Sequence, residues 1–434
     1  MTESSTPTVP AAESPAFLRA VAQMGQTRPV TASKAIYNQQ GVKLLDGGAA
    51  VDGSLYERLL AHRLQGPLDE SLESDAPVSG KLLREAAEAA MAHRPFFALM
   101  GPAGRVRGML LQAIEAIPLP QPIAFQLTLA RETRPAVFDH GILMALLCAH
   151  LVREGGAPIH DMTLAASAGL LHDLGMLHID AELLDSGNRL SADQLRPIYA
   201  HPVTSSMLVG RFRDYPSSVT RAVLEHHELL DGSGYPRGLA GDLISPLGRL
   251  LSLCEVVTAM FDGGRERPDQ RVSLLLRVNP RRFDAALVPS IQRLLRALPA
   301  AAEEVGVPLA DSVARLRVLV DLLERWHTAA ACAPTLAPAA GAVVNAMAGQ
   351  AETLQRMLFE AGITPEQLAF LTELGQPDGV LRSETWALTR ELCWHLRSSA
   401  NQLRRRWRAD AGGQPLPPPL ADWLDEVESH AALG

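Results

Sequence analysis

Aromatic rings, lysine and paired cysteines are all scarce in this chain, and each shortage narrows what it can be. Aromatics make up 5% of the 434 residues, while alanine and the aliphatic residues dominate, which favours packed helices over a sheet-rich fold. Lysine occurs only at Lys34, Lys43 and Lys81. A phosphate recognised by the later part of the chain must therefore be met by arginine, main-chain N–H groups or metal. The four cysteines, Cys148, Cys254, Cys332 and Cys393, are scattered and form no CxxC pair. That excludes a disulfide scaffold and leads us to expect reduced thiols in a cytoplasmic protein. No signal peptide is expected ahead of the first helix, and the apolar run Gly141 to Val152 is too short to span a bilayer, so no membrane insertion is expected. A net charge of -8 argues against a general binder of duplex nucleic acid or anionic membrane.

What is present falls into five stretches. Residues 1–15, rich in Ser, Thr, Pro and Ala, read as a disordered leader. Residues 16–130 read as a small mixed module. It has a short strand at Ala35-Ile36-Tyr37, a second at Val42 to Leu45, and helical spacing at Leu55, Leu59, Leu60 and Leu64 and again between Ser79 and Ala116. The proline-rich break Pro118 to Pro122 precedes a boundary placed near residue 130. Residues 131–330 show helical spacing almost throughout. The Ala/Pro-rich stretch 331–341 reads as a linker, and residues 342–434 as a further helical region that could carry a protein partner, as could the N-terminal module. Arg404, Arg405, Arg406 and Arg408 form a basic cluster that reads as a solvated helix end.

The middle stretch holds the residues that carry chemistry. His172-Asp173 sits in Gly169-Leu-Leu-His-Asp-Leu-Gly-Met176, read as part of a buried helix. A buried His-Asp pair must be satisfied by hydrogen bonds or by a metal. His140 opens a helix after Phe138-Asp139, and His201 stands before Pro202 at the start of another. His226-His227 precedes the turn Asp231 to Pro236, and Glu255 lies on the apolar stretch Leu250 to Met260. Singly, each has a plainer reading: a cap, a surface residue, or for Glu255 a pair with Arg249. Together, five histidines and two carboxylates at helix ends or on apolar faces favour a metal site. Mixed imidazole and carboxylate donors suit iron, manganese, zinc or nickel better than magnesium or calcium. Seven donors exceed the needs of one tetrahedral ion and could hold two.

This order of residues resembles the HD superfamily of metal-dependent phosphohydrolases. The segment His226 to Gly241, with Gly234-Tyr235-Pro236, resembles its HD-GYP subgroup. The resemblance covers roughly residues 131–300 and implies a mainly α fold, an HD-type helical bundle around the metal site. It implies hydrolysis of cyclic di-GMP to pGpG or GMP through a metal-bridging hydroxide, with two divalent ions, iron or manganese. The metal ligands it implies are His140, His172, Asp173, His201, His226, His227 and Glu255. His172 and Asp173 would be central to catalysis and Asp173 would bridge the ions. Substrate contact falls to the positions of Met176, Gly234, Tyr235, Pro236 and Arg237. Tyr235 offers a ring for stacking, a hydroxyl for a hydrogen bond, or packing within the turn.

The sequence departs from that pattern in several places. Met176 stands where the family has a phosphate-binding lysine. Glu255 replaces the usual aspartate, and Ala136 the glutamate of trinuclear members, so two ions at most are expected. Arg265 and Arg267-Pro268 are displaced from their usual place. These changes support a second reading, in which the metal-bound fold has little or no activity and serves as a nucleotide sensor or protein-docking module.

Overall fold

A computed structural model describes residues 14–51, 58–59, 61–101, 104–184, 192–232, 234–262, 267–278, 281–299, 309–360, 379–411 and 413–430. The chain divides into two compact units, residues 1–266 with 281–298, and residues 267–280 with 299–434. Helices dominate both, as the composition predicts.

The first unit opens with helix α1 (Pro15–Thr27). Ser14 caps it by accepting from the N–H of Phe17, and Pro15 supplies a first-turn residue whose missing N–H costs nothing there. Of the leader expected over 1–15, Ser14 and Pro15 thus open a helix, and the rest lies outside the described residues. Strand β1 (Val30–Ala32) pairs antiparallel with β4 (Leu72–Ser74), and β2 (Ile36–Tyr37) with β3 (Lys43–Leu45), the short hairpin the sequence suggests. Asn38 closes the hairpin turn, its side-chain oxygen accepting from the N–H groups of Gln40 and Val42. The helical spacing at Leu55 and Leu60 lies outside the described residues. Helices α2 (Gly80–His93), α3 (Pro95–Ala98) and α4 (Arg105–Glu115) follow, then α5 (Gln121–Thr133), which runs through residue 130. Buried Asp69 ties the small strands to the helices. It accepts from both terminal nitrogens of Arg211 at 2.9 Å and from Gln126 at 2.5 Å.

The site is positioned by α6 (Pro135–Glu154) and α7 (Ile159–Leu171), the most extensively packed helix pair among the described residues. Glycine on each face allows the approach. A Cβ at Gly169 would stand 2.9 Å from the Met144 carbonyl, and one at Gly141 2.9 Å from the Leu170 carbonyl oxygen. By length and composition α6 could cross a membrane, yet most of it is buried in this core. A 3₁₀ turn (Leu174–His178), α8 (Ala181–Leu184), α9 (Ala192–Val209), α10 (Ser217–Glu225) and α11 (Pro246–Asp262) complete the surroundings of the site.

The second unit contains α12 (Pro268–Val278), and the first takes back α13 (Val288–Ala297). Helices α14 (Leu309–Ala330), α15 (Pro338–Glu360), α16 (Gly379–Asp410) and α17 (Pro418–His430) make the core of the second unit. Trp326 and Trp423 meet edge to face at 4.9 Å, and the Trp423 indole N–H donates to the Leu322 carbonyl at 2.8 Å. Arg404, from the basic cluster, is paired with Asp425 and Glu428.

Candidate metal centre

Five helices, or the residues that end them, deliver the seven candidate ligands to one place. His140 comes from the second turn of α6, where its Nε2 meets Glu255 Oε2 of α11 at 2.9 Å. His172 and Asp173 are not inside a helix as the sequence suggested. Helix α7 stops at Leu171, with His172 as its cap and Asp173 at φ −105°, ψ 12°. One cause is visible: the Gly175 N–H, which a continuing helix would aim at the Leu171 carbonyl, donates instead to Ser205 Oγ of α9 at 2.8 Å. His201 likewise lies well inside α9 rather than at its start, because that helix runs through Pro197 and Pro202. Proline has no N–H for the carbonyl four residues back. The carbonyl freed by Pro202 is that of Ile198, and His201 Nδ1 takes it at 2.5 Å. His226 caps α10, and His227 follows it.

The imidazoles are oriented by a repeated contact. His172 Nδ1 meets the Gly169 carbonyl at 2.7 Å and His226 Nδ1 the Val223 carbonyl at 2.7 Å, matching His201 and Ile198. Each carbonyl lies three residues earlier and is left over at a helix end or beside a proline. An Nδ1–H donated there leaves the Nε2 lone pair facing inward, the state a metal requires. These inward atoms then crowd one another. His201 Nε2 is 3.0 Å from His226 Nε2 and 3.1 Å from Asp173 Oδ1, and His172 Nε2 lies 3.4 Å from Asp173 Oδ2 and 3.3 Å from Glu255 Oε2. Even so, His172 Nε2 and Asp173 Oδ1 are buried and lack a hydrogen bond of good geometry. Lone pairs facing lone pairs across a buried space are what a cation would relieve.

The donors form overlapping groups able to hold an ion. One is His201, His226 and His227, another His140, His172 and Glu255, and a third, His172, Asp173 and His226, joins them. The electrostatics follow the geometry. Burial pulls His226 well below the usual imidazole range, and the neighbouring His227 and His172 push it the same way. Burial takes His227 down to about 4. Burial works against the charged forms of Asp173 and Glu255 too, but the imidazoles around them outweigh it and hold both carboxyls well below their usual values. Asp173 and Glu255 raise His172 well above the ordinary value against the effect of burial, and Glu255 chiefly raises His140.

The turn beside the centre is held closely. A Cβ at Gly234 would stand 2.4 Å from the His227 carbonyl oxygen, and the Tyr235 N–H donates to that same oxygen at 3.1 Å. The Tyr235 ring stacks on His227, centroids 4.5 Å apart, so packing in the turn uses one of its faces. Pro236 follows across a cis peptide bond. Ser233 and Arg265 lie outside the described residues. Arg267 pairs with Asp269. Arg237, expected to reach for phosphate, is taken up by Glu225, its guanidinium 2.9 Å from Glu225 Oε1. Glu255 pairs with His140 and His172 rather than with Arg249, which meets Asp242 and Asp284. Met176 sits in the 3₁₀ turn, and Arg134 binds its carbonyl at 3.4 Å and that of Ile179 at 2.6 Å.

Sequence reasoning missed three supporting groups. Glu225 and Glu228 flank the histidine pair and are fully buried. Glu228 accepts from the N–H groups of Arg237 and Leu239, each at 2.8 Å, and Glu225 from that of Ser245 at 2.8 Å. Asp262, 2.7 Å from Arg94, faces His140 Nδ1 at 3.8 Å. The pattern Glu-His-His-Glu was the one available signal.

Residues 120–287 match the HD domain family. A 3'3'-cGAMP-specific phosphodiesterase of Vibrio cholerae serotype O1 is 35% identical over 127 residues, 28% of this chain and 28% of that protein. A cyclic di-GMP phosphodiesterase of Pseudomonas aeruginosa is 31% identical over 123 residues, 28% of this chain and 30% of that protein. A cyclic di-GMP phosphodiesterase response regulator of Xanthomonas campestris pv. campestris is 28% identical over 177 residues, covering 38% of this chain and 47% of that protein. The chain thus matches less than half the length of each of these relatives. With the helical bundle, the His-Asp pair and the Gly-Tyr-Pro turn in hand, residues 120–287 of this chain are an HD domain, of the HD-GYP-like subgroup of the HD superfamily.

Proposed function

We propose that the domain is a metal-dependent phosphodiesterase that hydrolyses cyclic di-GMP to linear pGpG, to GMP, or to both. The observation that carries this reading is the set of seven donors in overlapping groups around Asp173 and His172. His201, His226 and His227 with Asp173 Oδ1 would hold one divalent ion, and His140, His172 and Glu255 with Asp173 Oδ2 a second; their nitrogen and carboxylate character suits iron, manganese, zinc or nickel, and the family resemblance favours iron or manganese. When bound, such ions supply Lewis acidity towards a phosphodiester and activate water. Asp173 would suit bridging because its Oδ1 lies 3.1 Å from His201 Nε2 while its Oδ2 lies 3.4 Å from His172 Nε2. Asp262 lies on the outer side of His140, where a carboxylate fixes ring orientation, and Glu228 holds the turn that borders the centre. The relatives named for cyclic di-GMP and 3'3'-cGAMP support a cyclic dinucleotide as the substrate class.

The test is turnover of cyclic di-GMP by protein loaded anaerobically with iron(II) or with manganese, beside the double variant His172→Ala/Asp173→Ala. We expect metal-dependent pGpG or GMP from the wild type, and neither product nor bound metal in the variant. A second reading, a nucleotide sensor, is favoured by Met176 in the lysine position and by the capture of Arg237 by Glu225. Tight cyclic di-GMP binding without product from metal-replete protein would establish it. If the missing charge limits turnover, Met176→Lys raises turnover or affinity, and an unchanged rate and affinity refute that explanation.

A further inference from the structure

Two of the chain's five tyrosines stand beside the metal centre, and one of them is spent inside it. The Tyr235 ring lies on His227, and the edge of the pair is met by Tyr199, with ring centroids 4.8 Å apart and planes at 73°. Tyr199 sits on α9 two residues before His201, and it is 48% exposed. The rings therefore run from a candidate metal ligand, through Tyr235, to a half-exposed aromatic face in solvent. An aromatic face left in water forgoes the burial that would stabilise it, unless something flat covers it during function. Nucleobases do this readily, since every base has a π-face and stacking needs no hydrogen-bond pattern.

We propose that Tyr199 is a base-stacking residue of this centre, taking one nucleobase of the substrate on its open face while the phosphodiester lies towards His201, His226 and His227. This rests on the cyclic-dinucleotide phosphodiesterase reading above and adds to it a determinant of substrate class. Stacking selects a diester that carries a base over one that does not, and discriminates little between purines. Tyr235 acts as the spacer: pinned by its own N–H on the His227 carbonyl, it braces Tyr199 from behind.

The test uses the full chain loaded with manganese, steady-state kinetics on cyclic di-GMP, and equilibrium binding of the same compound. Tyr199→Ala is expected to raise KM and Kd by about tenfold while kcat changes by less than about twofold, the loss of one base–ring stack. Tyr199→Phe keeps the ring and is expected to behave as the wild type. Bound manganese is expected to be unchanged in both. Val203→Ser and Met207→Ser, exposed one and two turns further along α9, are expected to leave KM unchanged. A wild-type KM in Tyr199→Ala overturns the proposal, as does an equal loss in Tyr199→Phe, which would point to the hydroxyl. Loss of manganese in Tyr199→Ala also overturns it, since the residue would then be supporting His201. A wild type that neither binds nor hydrolyses cyclic di-GMP removes the underlying reading and this one with it, whereas a wild type that acts on it with an indifferent Tyr199→Ala removes this one alone.

Discussion

Glu228 shows how much one side chain can hold together. Each of its oxygens accepts one backbone N–H from the chain just past Pro236, at a position with no exposure to solvent. Glu228→Ala takes the acceptor from both part-buried hydrogen bonds and leaves a void where a fully buried side chain stood, and a lost partner costs about 1–3 kcal/mol for each group. We expect the variant to lose about 3 kcal/mol in urea unfolding. Glu228→Gln, which keeps one acceptor, is expected to lose less. The candidate ligands were legible because few residue types bind metal, so His and carboxylate positions announce themselves wherever they recur on apolar helices. Glu225 and Glu228 were not legible, because their partners are main-chain N–H groups whose direction only the folded turn defines. The partner of Arg237 was hidden for a related reason: Glu225, which its guanidinium meets, stands twelve residues earlier.

Helices place the residues, and their contacts can be tested as units. Adding a methyl at Gly169 puts a Cβ against main chain of α6 at 2.9 Å, where no side-chain rotation can give way. Gly169→Ala is expected to destabilise the protein by about 1–3 kcal/mol and, by shifting His172, to weaken manganese binding, measurable by competition with a chelator. The α1 helix offers a pH test. Phe17 stacks on His178 at 4.8 Å, and burial, with Arg211 adding to it, takes His178 down to about 4. An unfolded histidine titrates near about 6.5, so below that pH the unfolded chain binds more protons. The stabilisation is therefore complete above pH about 6.5 and is lost as pH falls towards about 4, with about 2 kcal/mol gone by pH 5. His178→Phe retains the stack and is expected to remove that part of the pH dependence in parallel urea titrations. Helical content was readable from periodicity, but the end of α7 and the interior position of His201 were not. Both depend on where Gly175 and Ile198 find hydrogen bonds, one of them across to another helix.

At the scale of the molecule, the candidate metal centre belongs to one compact unit and every tryptophan to the other. All five tryptophans fall between Trp326 and Trp423, and three of them are buried in the second unit's core. A ligand that binds the native state raises stability by about 2.7 kcal/mol at one hundred times its Kd. Manganese should thus delay loss of helical signal from the first unit while leaving the tryptophan fluorescence transition where it was. Equal shifts in both would show that the two units unfold together. The carbonyls that orient His172, His201 and His226 belong to Gly169, Ile198 and Val223, a glycine and two β-branched residues. What they contribute is main chain, which every amino acid carries. For His201 and His226 the orientation of the ring is thus largely independent of which residue stands three places before it, and substitutions at Ile198 and Val223 can accumulate at the cost of packing alone, whereas at Gly169 the close approach of α6 forbids them. A lineage could drift widely around the centre and still inherit its aim.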